Sequence, residues 1–489
     1  MENDFILVLD LGGRQAAAMA RKLRNQRYYT EIISEKADFE LFMRKSPRGI
    51  LIAGGDGRAD PVPFPRAALA LGIPVLAMGG AARMMAEAEG AACEGTLLEN
   101  AVVQITFEPC ELFSGLTGSD RYLSRVDGFA LPESYSPIAA AADGMVPAFA
   151  DLSRNRYGLQ FYAESNDPDG AAILSNFAER ICGCTPKWTI GNYLEEELRY
   201  IREKVGSAGA LMAVSGGVDS AACALLMRRA IGERLRCVFV DTGLLREGEA
   251  EQVRETFESQ LGIALTYVDA QDRFIGRLRG ISDPQEKQRA VRGEFISLFS
   301  EISRACPEAA FLVKGTVYND LLISDDPGTR SFDAERLLEP LRMLLKDEVR
   351  ALAEALEMPP EMIERQPFPA PALAERCGGE VTREKLAMLR RADAIFREVV
   401  ADAGLSRRLS RYFAILLDGG ALAERSGAAA YGRACALRAV VEHGDSFTIG
   451  KLPYDLLDRV GERIIAEVPG ICRVLYDISG SACGAVEWE

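Results

Sequence analysis

Short runs of apolar residues alternate with amphipathic stretches through the first two-thirds of the chain. Phe5–Asp10, Gly49–Ala53 and Ile73–Met78 have the length and composition of strands, whereas Arg14–Asn25 and Ala81–Ala88 repeat apolar positions at helical spacing. This alternation predicts a doubly wound sheet with ligands at the carboxyl ends of its strands. A second α/β unit begins near Asn192. Its strands are expected at Leu211–Val214, Cys237–Val240, Leu265–Val268 and Phe311–Val313, and its helices at Asp219–Ala230 and Glu249–Leu261. From about Leu341 the pattern turns helical, then mixed, with strands expected at Cys472–Ile478 and Ala485–Trp488. The Ala/Gly-rich stretch Gly419–Ala430 reads as a loop, and the chain carries no internal repeat.

A chain of 489 residues with 48% hydrophobic content has ample material for packed cores, at a prior of about three domains of ~150 residues each. No apolar run reaches the ~18 residues of a membrane span, and the acidic start Met-Glu-Asn-Asp lacks the basic residues of a signal peptide. The expectation is a cytoplasmic enzyme with no membrane partner. Eleven cysteines without a CxxC pair indicate neither a disulfide scaffold nor a zinc site, and Cys182-Gly-Cys184 is too closely spaced for a zinc knuckle. A net charge of −15 argues against a nucleic-acid partner, which requires clustered Lys and Arg. A nucleotide must then be held by local positive charge and backbone amides.

One stretch supplies those amides. Leu211-Met-Ala-Val-Ser-Gly-Gly-Val-Asp-Ser220 is an apolar strand running into a glycine turn that opens a helix. Gly216 and Gly217 let backbone N–H groups approach an anion, and the start of the helix favours negative charge. Ser215 and Ser220 add hydroxyl donors, and Asp219 offers a carboxylate for a Mg²⁺ that bridges phosphate oxygens. The spacing is not the Walker pattern, so a γ-phosphate kinase or GTPase is not the reading. It resembles the PP-loop of ATP pyrophosphatases, which adenylate a substrate oxygen and release pyrophosphate.

Further blocks make the resemblance specific over almost the whole chain. They are Cys237-Val-Phe-Val-Asp-Thr-Gly-Leu-Leu-Arg246, Leu338-Glu-Pro-Leu-Arg342 with Lys346-Asp-Glu-Val-Arg350, Gln366-Pro-Phe-Pro369, Ala436-Leu-Arg-Ala-Val440, Val468-Pro-Gly470, and the tail Arg473–Ile478 with Glu487-Trp-Glu489. Together they resemble the GMP synthase family. The resemblance implies two doubly wound parallel-sheet domains, one amidotransferase-like (1–186) and one PP-loop synthetase (187–365), followed by a small C-terminal α+β dimerisation domain (366–489). It implies ATP and Mg²⁺ as cofactors, XMP as acceptor and a homodimer. ATP would lie against Ser215, Gly216, Gly217, Val218, Asp219, Ser220, Val240, Arg246 and Gly315. Asp219, Lys346 and Glu348 would be catalytic, Lys346 neutralising the departing pyrophosphate and the two carboxylates holding metal.

Two departures from the family pattern shape the expected activity. A class I glutaminase needs a cysteine on a strand-to-helix turn and a histidine base. The turn Pro74–Met85 places Gly79 at the nucleophile position, and Gly158-Leu-Gln-Phe-Tyr-Ala-Glu164 places Tyr162 where the histidine belongs, with Glu164 retained. The only histidine of the chain is His443, so Cys93 and Cys110 read as ordinary thiols and glutamine hydrolysis is expected to be absent, with ammonia supplied from outside. In the synthetase half, the family's His-His-Asn stretch is missing after Lys314-Gly-Thr-Val-Tyr-Asn-Asp320. The family's Gly-Pro-Gly becomes Ala370-Pro-Ala372, and its nucleotide-contacting Arg and Lys fall on Ala429 and Ser481. Arg376, Arg433 and Arg473 are the candidate replacements toward the acceptor. Three readings stay open: amination of XMP, the same chemistry on another acceptor, and a non-catalytic paralogue with a binding role.

Overall fold

The apolar runs of the first segment pair as buried parallel strands. β1 (Ile6–Asp10) lies between β2 (Thr30–Ser34) and β3 (Gly49–Ala53), and β4 (Val75–Met78) follows β3. Every residue of β1, β3 and β4 is buried, which is why they read as unbroken apolar runs rather than alternating ones. The computed structural model describes residues 4–12, 15–34, 46–55, 67–141, 144–163, 168–318, 335–363, 372–425, 428–443 and 446–480. Contacts divide the chain into two units, 1–197 with 317–323 and 343–348, and 198–316 with 324–342 and 349–489.

The sheet of the first unit has nine strands in the order β2-β1-β3-β4-β9-β8-β7-β5-β6. β9 (Arg156–Leu159) runs parallel to β4. The remaining strands extend the sheet antiparallel through β8 (Ala148–Asp151), β7 (Ser136–Ala141) and the long hairpin β5 (Ala92–Phe107) and β6 (Gly118–Ala130). Helix α1 (Gln15–Asn25) buries Ala16, Met19, Ala20 and Leu23 on one face of the sheet, and α2 (Gly80–Ala88) buries Ala81, Ala82 and Met85 on the other.

Segments distant in sequence complete this core. Tyr318 and Leu345 lie in it, and the Tyr318 hydroxyl donates to the Asp10 carboxylate at 2.8 Å. Burial, and then the Asp10 charge, push the Tyr318 phenol far above its usual range. Arg24 is the hub. Its guanidinium donates to the Thr30 hydroxyl at 2.8 Å, the Thr30 carbonyl at 2.7 Å, the Met343 carbonyl at 2.8 Å and the Glu348 carboxylate at 2.5 Å, over the Trp188 ring at 5.4 Å.

The second unit holds the all-parallel sheet β12-β11-β10-β13-β14. Its strands are β10 (Gly209–Val214), β11 (Leu235–Asp241), β12 (Leu265–Asp269), β13 (Ala309–Val313) and β14 (Leu337–Leu338). The chain winds outward from β10 through β11 to β12 and then returns to β13 on the other side of β10, so the switch point lies at the carboxyl end of β10. Helix α3 (Val218–Ile231) follows β10. The expected helix from Glu249 to Leu261 is an α-helix only over Glu249–Glu255 (α4) and continues as a π-turn over Thr256–Gln260.

C-terminal to this lies α5 (Arg383–Asp402), capped by Thr382, and a mixed sheet. In that sheet β16 (Ala428–His443) is flanked by antiparallel β15 (Arg411–Arg425) and β17 (Ser446–Ile449) and by parallel β18 (Ile471–Tyr476). One hydrophobic core joins Leu211 and Val238 of the parallel sheet to Phe396, Leu437 and Val460 of the C-terminal region.

The loop expected at Gly419–Ala430 is instead a pair of strand arms, with Gly420 opposite Arg433 and Arg425 opposite Ala428. Small side chains hid the pattern, and the ladder is held by backbone pairing. A Cβ on Gly420 would meet the Tyr431 hydroxyl at 2.0 Å, so the glycine makes room for that ring. The strand expected at Ala485–Trp488 lies outside the described residues. No described helix is long and apolar enough to cross a membrane.

Replacing Arg24 by Ala would leave the Glu348 carboxylate without its cation in a largely buried setting. The expected cost is about 3 kcal/mol, read as a lowered midpoint of thermal unfolding; an unchanged midpoint would show that the pair does not hold the 343–348 segment.

Candidate nucleotide-binding site

β10 ends at Val214 and α3 begins at Val218, so the chain passes from strand to helix through Ser215, Gly216 and Gly217 alone. Gly216 holds φ 79°, and a Cβ on it would come within 2.3 Å of the Val253 side chain. Conformation and space both require glycine there. The Ser215 and Ser220 hydroxyls lie 3.1 Å apart, the Ser215 N–H donates to Ser220 Oγ at 3.3 Å, and the Ser220 hydroxyl donates to the Gly217 carbonyl at 3.0 Å. These bonds set the curvature of the turn. The first-turn amides of a helix lack intrahelical partners, and here they follow a turn built from glycine and serine, an arrangement suited to phosphate.

Gly315 comes against the same turn. It follows β13, and a Cβ built on it lies 3.5 Å from both the Asp219 carbonyl and the Ser220 Cα. Val240 is buried in β11, the neighbour of β10. The structure therefore brings Ser215, Gly216, Gly217, Val218, Asp219, Ser220 and Gly315 together at the switch point, with Val240 on the adjacent strand.

Arg246 ends the turn after β11, buried, with its Nε 3.5 Å from Asp393 of α5. Burial pulls its guanidinium down to about 10, Asp393 pulls the other way, and Arg397 and Arg376 add to the lowering. A cavity of about 210 Å³ opens here, lined by Arg246, Glu249, Gln252, Asp393, Arg397 and Glu398. Asp393 and Arg397 were not among the residues singled out from sequence. The available signal was Asp393 itself, a charge on the buried face of α5 among Leu386, Leu389, Ala392 and Phe396.

Lys346 and Glu348 belong to the first unit, Asp219 to the second. Lys346 is exposed at the start of the helix Lys346–Ala355. Glu348 is engaged in that helix's own start: its Oε2 accepts the Leu345 N–H at 2.8 Å as well as Arg24. Among the described residues no three carboxylate, thiol or imidazole groups converge as a metal centre. A Mg²⁺ held by one carboxylate and phosphate oxygens needs no such cluster. Asp219, half-buried beside the two serines, has the chemistry for that mode, whereas the Glu348 oxygen nearest Arg24 is already taken.

The turn expected to match the amidotransferase nucleophile position lies between β4 and α2. Gly79 connects β4 to α2 with φ 63° and ψ −132°, and its N–H donates to the Leu159 carbonyl at 2.8 Å. A Cβ on Gly79 would lie 2.1 Å from the Tyr162 hydroxyl oxygen and from its Cζ. The phenol thus fills the volume a nucleophilic side chain would need. Burial pushes the Cys110 thiol up, which keeps it protonated at neutral pH. Glu164 lies outside the described residues, as do the side chains of Cys93 and His443.

Of the acceptor candidates, Arg376 is fully buried, its guanidinium 3.9 Å from the centre of the Phe413 ring. Arg433 reaches the Asp418 carbonyl at 3.4 Å, and Arg473 the Leu422 carbonyl at 3.2 Å, on neighbouring strands β16 and β18. Arg376 is the one grouped with Arg246. Ser481 and Ala370 lie outside the described residues, as does the side chain of Ala429. Ala372 holds φ 64°, the conformation that the family's glycine supplies freely. Ala372→Gly should raise stability by about 1 kcal/mol, measured as an increased unfolding midpoint; a decrease would show that the methyl group's packing outweighs the backbone strain.

Comparison with known proteins bears on the family of the chain. Residues 398–488 match the model of the GMP synthase C-terminal domain. The chain is 40% identical to a GMP synthase [glutamine-hydrolyzing] of Thermomicrobium roseum, covering 99% of this chain and 97% of the relative. Proteins of the same name from Acetivibrio thermocellus and Clostridium acetobutylicum are 37% and 36% identical, with complete coverage of both partners. Identity at this level along the whole length of each pair leaves one conclusion: the chain belongs to the GMP synthase family.

Proposed function

We propose that this chain is an ammonia-using ligase that aminates XMP to GMP at the expense of ATP. ATP would seat its β- and γ-phosphates on Ser215–Ser220, and its adenine against β11 near Val240. The O2 of XMP attacks the α-phosphorus, pyrophosphate leaves, ammonia displaces AMP from the adenylated carbon, and GMP and AMP are released. Mg²⁺ would neutralise phosphate charge, with Asp219 as its protein ligand. Lys346 would supply a point charge toward the departing pyrophosphate, electrostatic stabilisation being normally the largest catalytic contribution. In this reading residues 187–365 carry the ATP chemistry. Residues 366–489 pair two copies, consistent with the exposed Leu422 and Tyr431 opposite one another on β15 and β16 and with exposed Leu475 and Ile478.

The observation that carries the ATP assignment is the Gly216 turn with Gly315 packed against it. The observation that carries ammonia dependence is the Tyr162 ring in the space a residue-79 nucleophile would occupy. A phenol of ordinary pKa near 10 does not replace imidazole as base at neutral pH. The relatives are named for glutamine hydrolysis; here residues 1–186 would keep a packing role. Ala429 and Ser481 favour a second reading, the same adenylation on a different carbonyl acceptor.

Pyrophosphate release from ATP and Mg²⁺ with ammonium, with and without XMP, separates the readings. XMP-dependent release is expected; ATP binding without XMP-dependent release would favour the other acceptor, and no ATP binding would remove both. Glutamine in place of ammonium should give no release, and release with glutamine would overturn the reading of residues 79 and 162. Gly79→Cys alone should be destabilised by overpacking, by about 1–3 kcal/mol, and Gly79→Cys/Tyr162→Ala should recover part of that loss. Additive effects in that double-mutant cycle would contradict the clash.

A further inference from the structure

The turn Asp241–Arg246 has its two sides satisfied by different parts of the second unit. On its own side, the Asp241 carboxylate accepts the Gly243 N–H at 2.8 Å through one oxygen, and the Tyr267 hydroxyl at 2.6 Å and the Gln271 amide at 2.9 Å through the other. The three successive carbonyls that follow are taken by the C-terminal segment. Arg390 of α5 donates through Nη2 to the Gly243 carbonyl and through Nε to the Leu245 carbonyl at 2.8 Å, and the Leu373 N–H donates to the Leu244 carbonyl at 3.0 Å. One helical turn beyond Arg390, Asp393 faces the Arg246 guanidinium at 3.5 Å and accepts the Ala414 N–H at 3.0 Å through its other oxygen. The planar fork of an arginine suits this task, since it offers several donors in fixed geometry.

We infer that helix α5 is the template that shapes the Asp241–Arg246 turn for nucleotide, with Arg390 as the positioning residue that clamps its carbonyls. The C-terminal segment, expected from sequence to pair subunits and to offer acceptor-side arginines, then also holds one wall of the ATP site in shape. Without Arg390 the Gly243 and Leu245 carbonyls lose their donor; a turn with two orphaned carbonyls would reorganise to satisfy them, and Arg246 would move with it. Burial lowers the Arg390 pKa while Asp241 opposes that, in keeping with a guanidinium committed to the interior. The inference rests on the reading of Arg246 and its turn as part of the ATP site.

The test is calorimetric titration of the full-length chain with ATP and Mg²⁺, alongside thermal unfolding. Arg390→Ala should weaken ATP binding on the order of tenfold or more, the loss of one or two charge-assisted hydrogen bonds, while retaining a cooperative melting transition. Arg390→Lys keeps the charge but not the fork and should fall between Ala and wild type. Arg463→Ala, which removes surface pairs with Glu398 and Glu467 away from the turn, should bind as wild type does. If Arg390→Ala loses its melting transition, Arg390→Lys read in the same way decides. Wild-type ATP affinity in a folded Arg390 variant overturns the clamp and leaves the proposed function standing. Failure of the wild-type chain to bind ATP overturns both, whereas ATP binding without XMP turnover bears on the acceptor alone and leaves the clamp to be judged on affinity.

Discussion

A fully buried parallel strand must deliver its chain to a helix without leaving backbone groups stranded in the core, and this chain meets that constraint with glycine at two corresponding places. At Gly216 and at Gly79 the backbone adopts positive φ at the carboxyl end of a central strand, and at both a neighbouring side chain occupies the space beside the glycine. The neighbour is what differs. Val253 crowds Gly216 from the helix after the next strand and leaves the amide-rich mouth of the turn formed by Ser215, Gly217 and Ser220. Tyr162 crowds Gly79 by placing a ring where any side chain on residue 79 would project. The same backbone device therefore leaves an open, amide-lined turn in one unit and a filled position in the other.

Buried cations organise much of what surrounds these turns. Arg24, Arg246 and Arg376 are all buried, yet each has a carboxylate, a set of carbonyls or an aromatic face to replace water. Lys287 and Lys385 are likewise used to cap the carbonyls of Ala374, Cys377 and Gly378, which fixes the short helical segment that carries Arg376. In a chain of net charge −15, these interior cations are each matched by local acceptors, and the cavity near Arg246 sets Arg246 and Arg397 against Glu249, Asp393 and Glu398.

The fold was legible where burial is two-sided. β1, β3, β4 and β10 fall close to the apolar runs that predict them, because a strand covered on both faces has no polar positions to interrupt it. The arms around Gly420 were not legible, since a run of Gly and Ala carries no periodic signal even where its backbone pairs as a ladder. The strand-to-helix turn could be read from Ser215-Gly-Gly217 because its geometry is local. The roles of Glu348 and Arg390 could not, because each depends on a partner far along the sequence: Arg24 for one, the carbonyls of Gly243 and Leu245 for the other. Charged residues near the ends of amphipathic helices ordinarily read as solvated, and only the tertiary contact distinguishes a hub from a surface pair.

The first core is completed by Tyr318 and Leu345, residues that the order of the chain assigns to the synthetase half. Modularity in the gene is therefore not modularity in three dimensions. A truncation at the apparent boundary near residue 186 would remove two plugs from one hydrophobic interior and strip the other fragment's segments of their packing. The first unit is thus continuous in space but interrupted along the chain, so a cut that looks like a linker in sequence passes through a packed interior.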